Sequence, residues 1–249
     1  MAHKLDSFSP GSAMVVVAHP DDAEFMCAGT VAKWAKAGCE VTYVLVTNGN
    51  KGSDDPDMTS TRLAEIREAE QRAAGAILGV KHFEFLGFPD GYLVHTLDVR
   101  REITRVIRKW KPEVVITFDP SQRFFGDSYP NHPDHRATGD ATIDAIFPSA
   151  RDRLTFPELL VDGYEPWKVR QIWLASDDQH SQVRVDISET IAAKQAALLA
   201  HPSQLGADAV EMALQMGRWG AAGRDFEFGE AFRVITLDTP FDEVQGEHS

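Results

Sequence analysis

Cysteine is scarce in this chain. Only Cys27 and Cys39 occur among 249 residues, and neither belongs to a CxxC pair. A disulfide framework or a thiolate zinc site is therefore not expected. We interpret both residues as buried, inert thiols of a protein from a reducing compartment.

Long apolar runs and an excess of basic charge are also missing. No stretch approaches the roughly 20 apolar residues that span a bilayer, and the first residues lack the apolar core of a signal peptide. We therefore expect a cytoplasmic protein without a membrane partner. The 25 Lys and Arg against 38 Asp and Glu give a net charge of −13. This charge repels phosphate-rich polymers, so we expect no nucleic-acid partner.

Linkers and glycine-rich phosphate loops are absent as well. Without a Pro/Gly/Ser-rich linker, the length predicts a single domain over residues 1–249, with flexible tails at 1–12 and 239–249. The loop after the first predicted strand carries two carboxylates, which would repel a pyrophosphate, and no segment matches GxGxxG or a P-loop. NAD and ATP are therefore poor candidates as ligands.

Strand and helix patterns alternate along the chain. This alternation predicts an α/β, Rossmann-like three-layer sandwich with a mostly parallel central sheet and helices on both faces. Right-handed crossovers favour a central first strand with the fourth strand beside it. On the second helix, the apolar face is predicted to contain Leu63, Ile66, Ala73 and Ile77. The predicted strands are 13–18, 41–46, 82–86, 114–118, 171–175 and 183–185, and the predicted helices are 22–37, 59–78, 99–110, 134–146, 188–199 and 207–219.

Two short clusters of His and Asp follow the two central strands. His19-Pro20-Asp21-Asp22 comes directly after the first strand, and His132-Pro133-Asp134-His135 comes after the fourth strand and a longer loop. In open α/β sheets, these loops meet at the crevice where the strand order reverses. Two imidazoles and a carboxylate suit a divalent transition metal and leave coordination positions open, as in a catalytic site. A spare carboxylate nearby could deprotonate metal-bound water, whose pKa falls toward about 7.

Each of these residues also has a purely structural interpretation. Asp22 and Asp134 could cap the helices that follow them. Asp21 could be a solvated loop acid, and His132 could lie at the surface of a proline-containing turn. Their occurrence together in two loops that meet at one crevice favours a functional site.

Several other segments accompany the clusters. They are Thr47-Asn48-Gly49, Arg62-Leu63-Ala64-Glu65, Leu86-Gly87-Phe88-Pro89-Asp90-Gly91 and Thr117-Phe118-Asp119-Pro120. Together with the clusters, they make residues 14–205 resemble the zinc-dependent de-N-acetylases of the PIG-L/LmbE family. The resemblance implies hydrolysis of an acetamido group on an N-acetylglucosamine-type sugar or conjugate, and an amino-sugar substrate. Because relatives often form oligomers, it also implies a homo-oligomer.

The resemblance also implies roles for individual residues. One Zn²⁺ per chain would be held by His19, Asp22 and His135, although another divalent metal such as Fe²⁺ could take its place. Asp21 would be the general base that activates the water. His132, oriented by Asp134, would be positively charged or donate a hydrogen bond to the tetrahedral oxyanion, and would assist departure of the amine. The residues that would bind sugar hydroxyls are Arg62 and Asp90, which could instead pair with a helix acid and shape a turn.

Some positions depart from the family pattern or have no clear role. Some sugar-active relatives carry an aromatic residue two places before the first His of the second cluster, where this chain has Pro130, with Tyr129 one step further back. Residues 122–127 are interpreted as a lid or a substrate-recognition loop. The segment 201–204 resembles a family segment of unknown role. The isolated histidines are interpreted as non-ligands: His82, His95, His180 and His201.

Three other functions remain open from the sequence. An amidase that cleaves a larger acyl group or a thiol conjugate would use the same metal chemistry. A non-haem Fe(II) oxygenase also uses two His and one carboxylate, although the additional acid Asp21 favours hydrolysis. The third is a sugar-binding or scaffold protein with a vestigial site.

Overall fold

The described part of the chain contains nine β-strands. The computed structural model describes residues 8–127, 129–175 and 181–237. Residues 1–7 and 239–249 of the predicted tails, and His180, lie outside this part of the chain. The strands are β1 (Ser12–Val17), β2 (Glu40–Thr47), β3 (His82–Phe88), β4 (Val114–Phe118), β5 (Phe124–Phe125), β6 (Tyr129–Pro130), β7 (Gln171–Ala175), β8 (Val183–Asp186) and β9 (Gly229–Thr236).

Within the same described residues, six α-helices lie between the strands. They are α1 (Asp22–Lys36), α2 (Ser60–Leu78), α3 (Leu97–Trp110), α4 (Pro133–Asp144), α5 (Ile191–Leu198) and α6 (Ala207–Gly220). A π-helical turn, Ala145–Ala150, continues α4, and a 3₁₀ turn spans Pro157–Leu160. Thr59 and Thr96 cap α2 and α3 by accepting backbone N–H bonds, as short hydroxyl side chains at this position commonly do. No helix in the described part of the chain is both long and apolar enough to cross a membrane.

The central sheet has the strand order β3-β2-β1-β4-β7-β9-β8. β1 pairs in parallel with both β2 and β4. The strand order therefore reverses at β1, and the loops leaving β1 and β4 open into the same crevice. This confirms the predicted fold class and the placement of the fourth strand beside the first.

One strand of the sheet was not predicted from the sequence. β9 inserts between β7 and β8 and is antiparallel to both. Its charged residues, Glu230 and Arg233, interrupt the apolar pattern that would otherwise indicate a strand. The sheet is thus parallel from β3 to β7 and mixed at its far edge.

Both faces of the sheet are covered, which explains why β1 is apolar from Ala13 to Val17. Val15 and Val17 belong to a core on one face, where they pack with Trp34 of α1. Met14 and Val16 belong to the core on the opposite face, which also contains residues of α3. Because successive side chains of a strand point to opposite faces, a strand between two helical layers needs apolar residues at every position.

Helix α1 is interrupted at Cys27, where φ is −151° and ψ is 16°. The carboxylate of Glu230 accepts the backbone N–H groups of Gly29 and Thr30, at 3.0 and 2.7 Å. Lys194 donates to the Phe25 carbonyl oxygen and to Glu230, both at 2.7 Å. A buried ion pair from α5 and β9 therefore satisfies the polar backbone groups at this break.

The buried face of α2 differs from the prediction. Ile77 is 46% exposed, Ala73 is exposed and Ile66 is half-buried. Leu63 is buried as predicted, and the rest of the buried stripe includes Arg67, Gln71, Ala74 and Leu78. The prediction was wrong for the other three residues because it counted only apolar residues, whereas part of the inward face of α2 carries polar side chains that reach the first His/Asp cluster.

Candidate active site and metal centre

The two clusters meet at the crevice between β1 and β4. Oδ2 of Asp22 lies 3.3 Å from Nδ1 of His19, and Oδ1 of Asp22 lies 3.1 Å from Nε2 of His135. Ligand atoms about 2.0–2.1 Å from one tetrahedral ion are separated by about 3.3 Å. Ring nitrogens of His19, His132 and His135 also lie within 4.8 Å of one another. The donor set and its spacing therefore fit a single divalent cation.

The charges around His19 also fit a cation. Burial opposes a charge on this imidazole, but the facing carboxylates of Asp22, Asp134 and Asp90 raise its pKa to about 12. Burial likewise opposes a charge on Asp22, yet His135 and His19 hold the pKa of this carboxyl well below its usual range. Three carboxylates around one imidazole create a strongly negative site, which a divalent metal ion would balance.

Two carboxylates orient the ring of His19. Its Nε2 lies 3.1 Å from Oδ1 of Asp90 and 3.2 Å from Oδ2 of Asp134. Nδ1, which faces Asp22, is therefore the nitrogen that would bind a metal. Carboxylates that hydrogen-bond the second nitrogen of a metal-ligating imidazole fix its orientation and raise its basicity. Asp90, predicted to bind a sugar hydroxyl, thus also lies against a predicted metal ligand.

Asp134 and His132 make different contacts from those expected. The buried carboxylate of Asp134 accepts hydrogen bonds from the backbone N–H groups of Gly91 and Leu93, at 2.7 and 3.2 Å, in addition to its contact with His19. The backbone N–H of Asp134 donates to Nδ1 of His132 at 3.2 Å. His132 is the N-cap of α4 and is held by this amide, so the contact of Asp134 with His132 is made by its backbone and not by its side chain.

The hydrogen bond to Nδ1 decides which nitrogen of His132 can donate. When Nδ1 of a neutral imidazole accepts, Nε2 carries the proton. Burial, together with the charges of His19 and His135, lowers the pKa of His132. Of the two forms predicted for His132, the structure therefore favours the neutral form, with Nε2–H as its donor.

Asp21 lies at the start of α1 with an unusual backbone conformation. Its φ of 90° is in the left-handed region, which non-glycine residues rarely adopt. Oδ2 of Asp21 accepts a hydrogen bond from Nη2 of Arg67 at 3.0 Å. Burial and the neighbouring charge of Asp22 raise the pKa of Asp21 to about 7, against the opposing charge of Arg67. Asp21 is thus a carboxylate beside the predicted ligands that is not needed to complete their set.

Arg67 is a site residue that the sequence analysis missed. It is 5% exposed and also donates to the carbonyl oxygens of Gly49 and Pro20, at 2.7 and 2.6 Å. Arg62 is exposed in the first turn of α2, and its binding of a sugar hydroxyl stays a prediction. The available signal was position: Arg67 lies four residues after Leu63, on the buried stripe of the helix, where an unpaired charge would be costly.

Exposed aromatic side chains occur next to the site. The hairpin of β5 and β6 immediately precedes His132, and Phe124, Phe125 and Tyr129 on it are 62%, 41% and 57% exposed. The rings of Phe125 and Tyr129 are 6.0 Å apart. Asn131 ties the base of the hairpin by donating to the Gln122 carbonyl oxygen at 2.7 Å. The segment 122–127, predicted to be a lid or a recognition loop, thus contains the first strand of a small aromatic hairpin.

Among the described residues, the other histidines do not belong to any group of side chains placed closely enough to hold a metal ion together. His82 stacks on Trp110 with a centroid distance of 4.0 Å, and His95 faces Asp144 at 3.4 Å. His201 is fully buried and faces Glu24. These placements agree with their interpretation as non-ligands.

A family comparison matches the part of the chain that carries both clusters. The model of the PIG-L family, described as GlcNAc-PI de-N-acetylase, matches residues 14–146, more than half of the chain. The chain belongs to the PIG-L family. All eight residues singled out as site candidates in this PIG-L protein lie within the matched region.

Individual relatives extend the similarity beyond the matched region. Diacetylchitobiose deacetylase of Thermococcus kodakarensis is 33% identical over 194 residues, which cover 78% of this chain and 70% of the relative. Mycothiol S-conjugate amidase of Streptomyces coelicolor is 35% identical over 179 residues, which cover 63% of this chain and 58% of the relative. The structure of N,N'-diacetylchitobiose deacetylase from Pyrococcus horikoshii is similar with a TM-score of 0.84 at 27% identity, covering 98% of this chain and 94% of that chain.

Proposed function

We propose that this PIG-L protein is a metal-dependent hydrolase that removes the N-acetyl group from an N-acetylglucosamine-type sugar or conjugate. The observation that carries the proposal is the position of Asp22, whose two oxygens contact His19 and His135 at 3.3 and 3.1 Å, with Asp21 directly beside it. The names of the similar deacetylases support the reaction and the substrate class.

Zn²⁺ is the proposed cofactor, with one ion per chain held by His19, Asp22 and His135. When bound, the ion supplies a Lewis acid for the amide carbonyl and makes a water acidic enough to attack at neutral pH. Asp90 and Asp134 hold the His19 ring in place through its other nitrogen. Zinc dependence, a cytoplasmic location and homo-oligomeric assembly remain predictions from the sequence.

Asp21 and His132 are proposed to move protons and stabilise charge. Asp21 accepts a proton from the attacking water, and Arg67 holds its carboxylate through the 3.0 Å contact to Oδ2. His132 donates its Nε2–H to the oxygen that becomes negative when the amide carbonyl is attacked. The proton held by Asp21 passes to the amide nitrogen as the C–N bond breaks, while His132 assists departure of the amine by keeping its hydrogen bond to the oxygen, so that water and the amide yield acetate and a free amino group.

The reaction is tested by measuring acetate release from a panel of free, glycosidic and disaccharide N-acetylglucosamine compounds. The purified protein is loaded with one equivalent of zinc, and the same preparation treated with a chelator serves as the control. We expect acetate and a free amine in equal amounts, from the zinc-loaded protein alone. No release from any member of the panel would contradict the proposed function.

An amidase acting on a larger acyl group or a thiol conjugate is the second candidate. The 35% identity to mycothiol S-conjugate amidase favours it, and the same side chains would carry out the hydrolysis. Substrates that differ only in acyl chain length distinguish the two, because a deacetylase prefers the acetyl compound by kcat/KM. The relatives described above are deacetylases and an amidase, so they give no support to an oxygenase or a vestigial binding protein.

Replacing His132 tests the proposed oxyanion donor. His132→Ala is expected to lower kcat by about 10²–10³-fold, the usual cost of one oxyanion donor, with zinc content unchanged. Steady-state kinetics and metal analysis of the same preparations measure both quantities. Half-buried His82, stacked on Trp110 away from the site, provides the matched control, His82→Ala, which should retain wild-type kcat. Loss of zinc in His132→Ala would make His132 a ligand instead.

A pair of arginine variants on α2 tests the two candidates for a functional cation. Arg67→Met removes three described hydrogen bonds at the site and is expected to lower kcat by at least about 10-fold, as misplacing a reacting group does. Arg62→Met is expected to change kcat by less than twofold and, if Arg62 binds a sugar hydroxyl, to raise KM. Equal kcat for both variants would show that Arg67 is not needed to hold the carboxylate of Asp21.

A further inference from the structure

Three buried polar side chains link the segment 201–204 to the start of α1. Nε2 of His201 lies 3.2 Å from Oε2 of Glu24, and Nε2 of Gln71 donates to Oε1 of Glu24 at 2.9 Å. Oε1 of Gln71 accepts the backbone N–H of Asp21 at 3.0 Å. His201, Glu24 and Gln71 are all 0% exposed. This network therefore ends on the backbone of the proposed general base.

The amide of Gln71 can make both of its hydrogen bonds in only one orientation. The amide oxygen of Gln71 must face the Asp21 N–H, so its NH₂ group must face Glu24. The Glu24 carboxylate then accepts from both neighbours, which places the His201 proton on Nε2. Turning the Gln71 amide over would break both of its bonds in a buried site, where unpaired polar groups are costly. Each side chain thus fixes the next one.

The segment 201–204 is itself anchored at several points. The backbone N–H and the hydroxyl of Ser203 donate to the carboxylate of Glu70 on α2, at 2.9 and 2.6 Å. Nε2 of Gln204 donates to the Gly52 carbonyl oxygen in the loop after β2, at 2.9 Å. The imidazole of His201 is therefore presented to Glu24 from a loop that is fixed against α2 and the loop after β2.

Asp21 needs such support because its backbone adopts an unfavourable conformation. Its left-handed conformation, with φ of 90° and ψ of −26°, is unfavourable for a residue with a side chain and persists only when the surroundings hold it. Gln71 takes up the Asp21 N–H, while the Asp21 carbonyl oxygen accepts from the backbone N–H of Glu24 at 3.0 Å. Both peptide groups of this residue are therefore constrained, and with them the direction of its carboxylate.

We propose that His201, Glu24 and Gln71 form a positioning network that holds Asp21 in the backbone conformation from which its carboxylate acts as the general base. The inference rests on the proposed function and assigns a role to the segment 201–204. None of the three residues touches the reacting atoms. Their contribution is to keep the base in line with the water that it deprotonates.

The same helix provides a matched control. Glu230 is a buried carboxylate that also binds α1, but it contacts the N–H groups of Gly29 and Thr30 and not the Asp21 turn. Glu230→Gln should therefore destabilise α1 without moving the base. If kcat falls only because α1 is less stable, Glu230→Gln should lose as much kcat as the network variants. If kcat falls because Asp21 is misplaced, Glu230→Gln should keep its kcat.

The experiment compares Gln71→Met, His201→Leu, His201→Gln and Glu230→Gln in the full-length protein. Because small displacements of a catalytic group can cost about 10²-fold in rate, we expect kcat per bound zinc to fall roughly 10- to 100-fold in Gln71→Met and His201→Leu. KM and zinc per chain should stay within about twofold, because the ligands and sugar contacts are untouched. His201→Gln, which restores an N–H donor, should recover much of the loss, and Glu230→Gln should keep wild-type kcat.

Hydrogen exchange of the metal-free protein gives a readout that does not depend on activity. Gln71→Met should speed exchange in a peptide covering residues 18–25, whereas Glu230→Gln should speed it in residues 28–32. Any of three results would overturn the proposed network. Gln71→Met could keep wild-type kcat, or it could leave hydrogen exchange at residues 18–25 unchanged. The third result is a loss of kcat in Glu230→Gln as large as that in Gln71→Met. Should His201→Leu fail to fold, Gln71→Met decides the matter. A wild-type protein without hydrolase activity would overturn the proposed function, while exchange would still report on the network.

Discussion

Asp21→Asn is expected to lower kcat by about 10²–10⁴-fold, the contribution that a general base commonly makes. The carboxamide has nearly the same shape but cannot take a proton from the attacking water. Because Asp21 is not one of the three proposed ligands, zinc per chain should stay at the wild-type value. Steady-state acetate release and metal analysis of the same preparation test both parts.

The matched control for this substitution is Asp57→Asn, which removes an exposed carboxylate in the loop before α2. It should leave kcat, KM and zinc content unchanged. Two results would contradict the role of Asp21. Wild-type kcat in Asp21→Asn would remove it as the base, and loss of zinc from this variant would place it among the ligands.

Asp22→Ala is expected to remove both the metal and the activity. Its two oxygens face His19 and His135 at 3.3 and 3.1 Å, so its loss takes away a carboxylate that contacts both imidazoles. The fall in zinc affinity should exceed the 10- to 100-fold that is typical when an outer partner of a ligand is lost. Titration with a competing chromogenic chelator measures the affinity, and acetate release at saturating zinc measures the activity.

Asp90→Asn provides a graded comparison with Asp22→Ala. Asp90 contacts His19 through the nitrogen that faces away from Asp22, so its loss should weaken zinc binding by about 10–100-fold. Excess zinc should restore metal occupancy in Asp90→Asn more readily than in Asp22→Ala. Full zinc content in Asp22→Ala at low zinc concentration would show that the ion is held elsewhere.

The positions of the central strands could be predicted because their apolar sequence pattern has one physical cause. A strand covered by helices on both faces must be apolar at every position, and β1 and β4 show this as uninterrupted runs. Their adjacency follows from the handedness of the crossovers. The meeting of the loops that carry His19 and His135 could thus be predicted before the structure was known.

The parts that failed share a different cause. β9 carries Glu230, whose charge is satisfied by Lys194 and by backbone amides of α1, and the local sequence gives no sign of these distant partners. Arg67 and Gln71 occupy inward positions on α2 because the first His/Asp cluster offers them polar contacts. Hydrophobic periodicity misplaces a helix face wherever part of that face meets a polar site.

The contact of Asp134 with His132 illustrates a third limit. The sequence places a carboxylate two residues after an imidazole, and side-chain pairing is the natural expectation. In the structure, α4 begins at Pro133, so the peptide N–H of Asp134 is free to bind the imidazole while its carboxylate turns toward the loop after β3. The competition between side-chain and backbone donors depends on where the helix starts, and this start was predicted one residue late.

Glu230 and Lys194, which satisfy the break in α1, have a consequence for how the molecule matures. All eight proposed site residues lie before residue 136, yet the helix that follows Asp21 has its buried amides satisfied by a strand beginning at Gly229. A nascent chain that has left the ribosome only as far as α4 would carry every proposed catalytic side chain. It would still lack the Glu230 carboxylate that binds the amides of α1. The buried break in α1 therefore gains its last polar contacts late in synthesis, with β9.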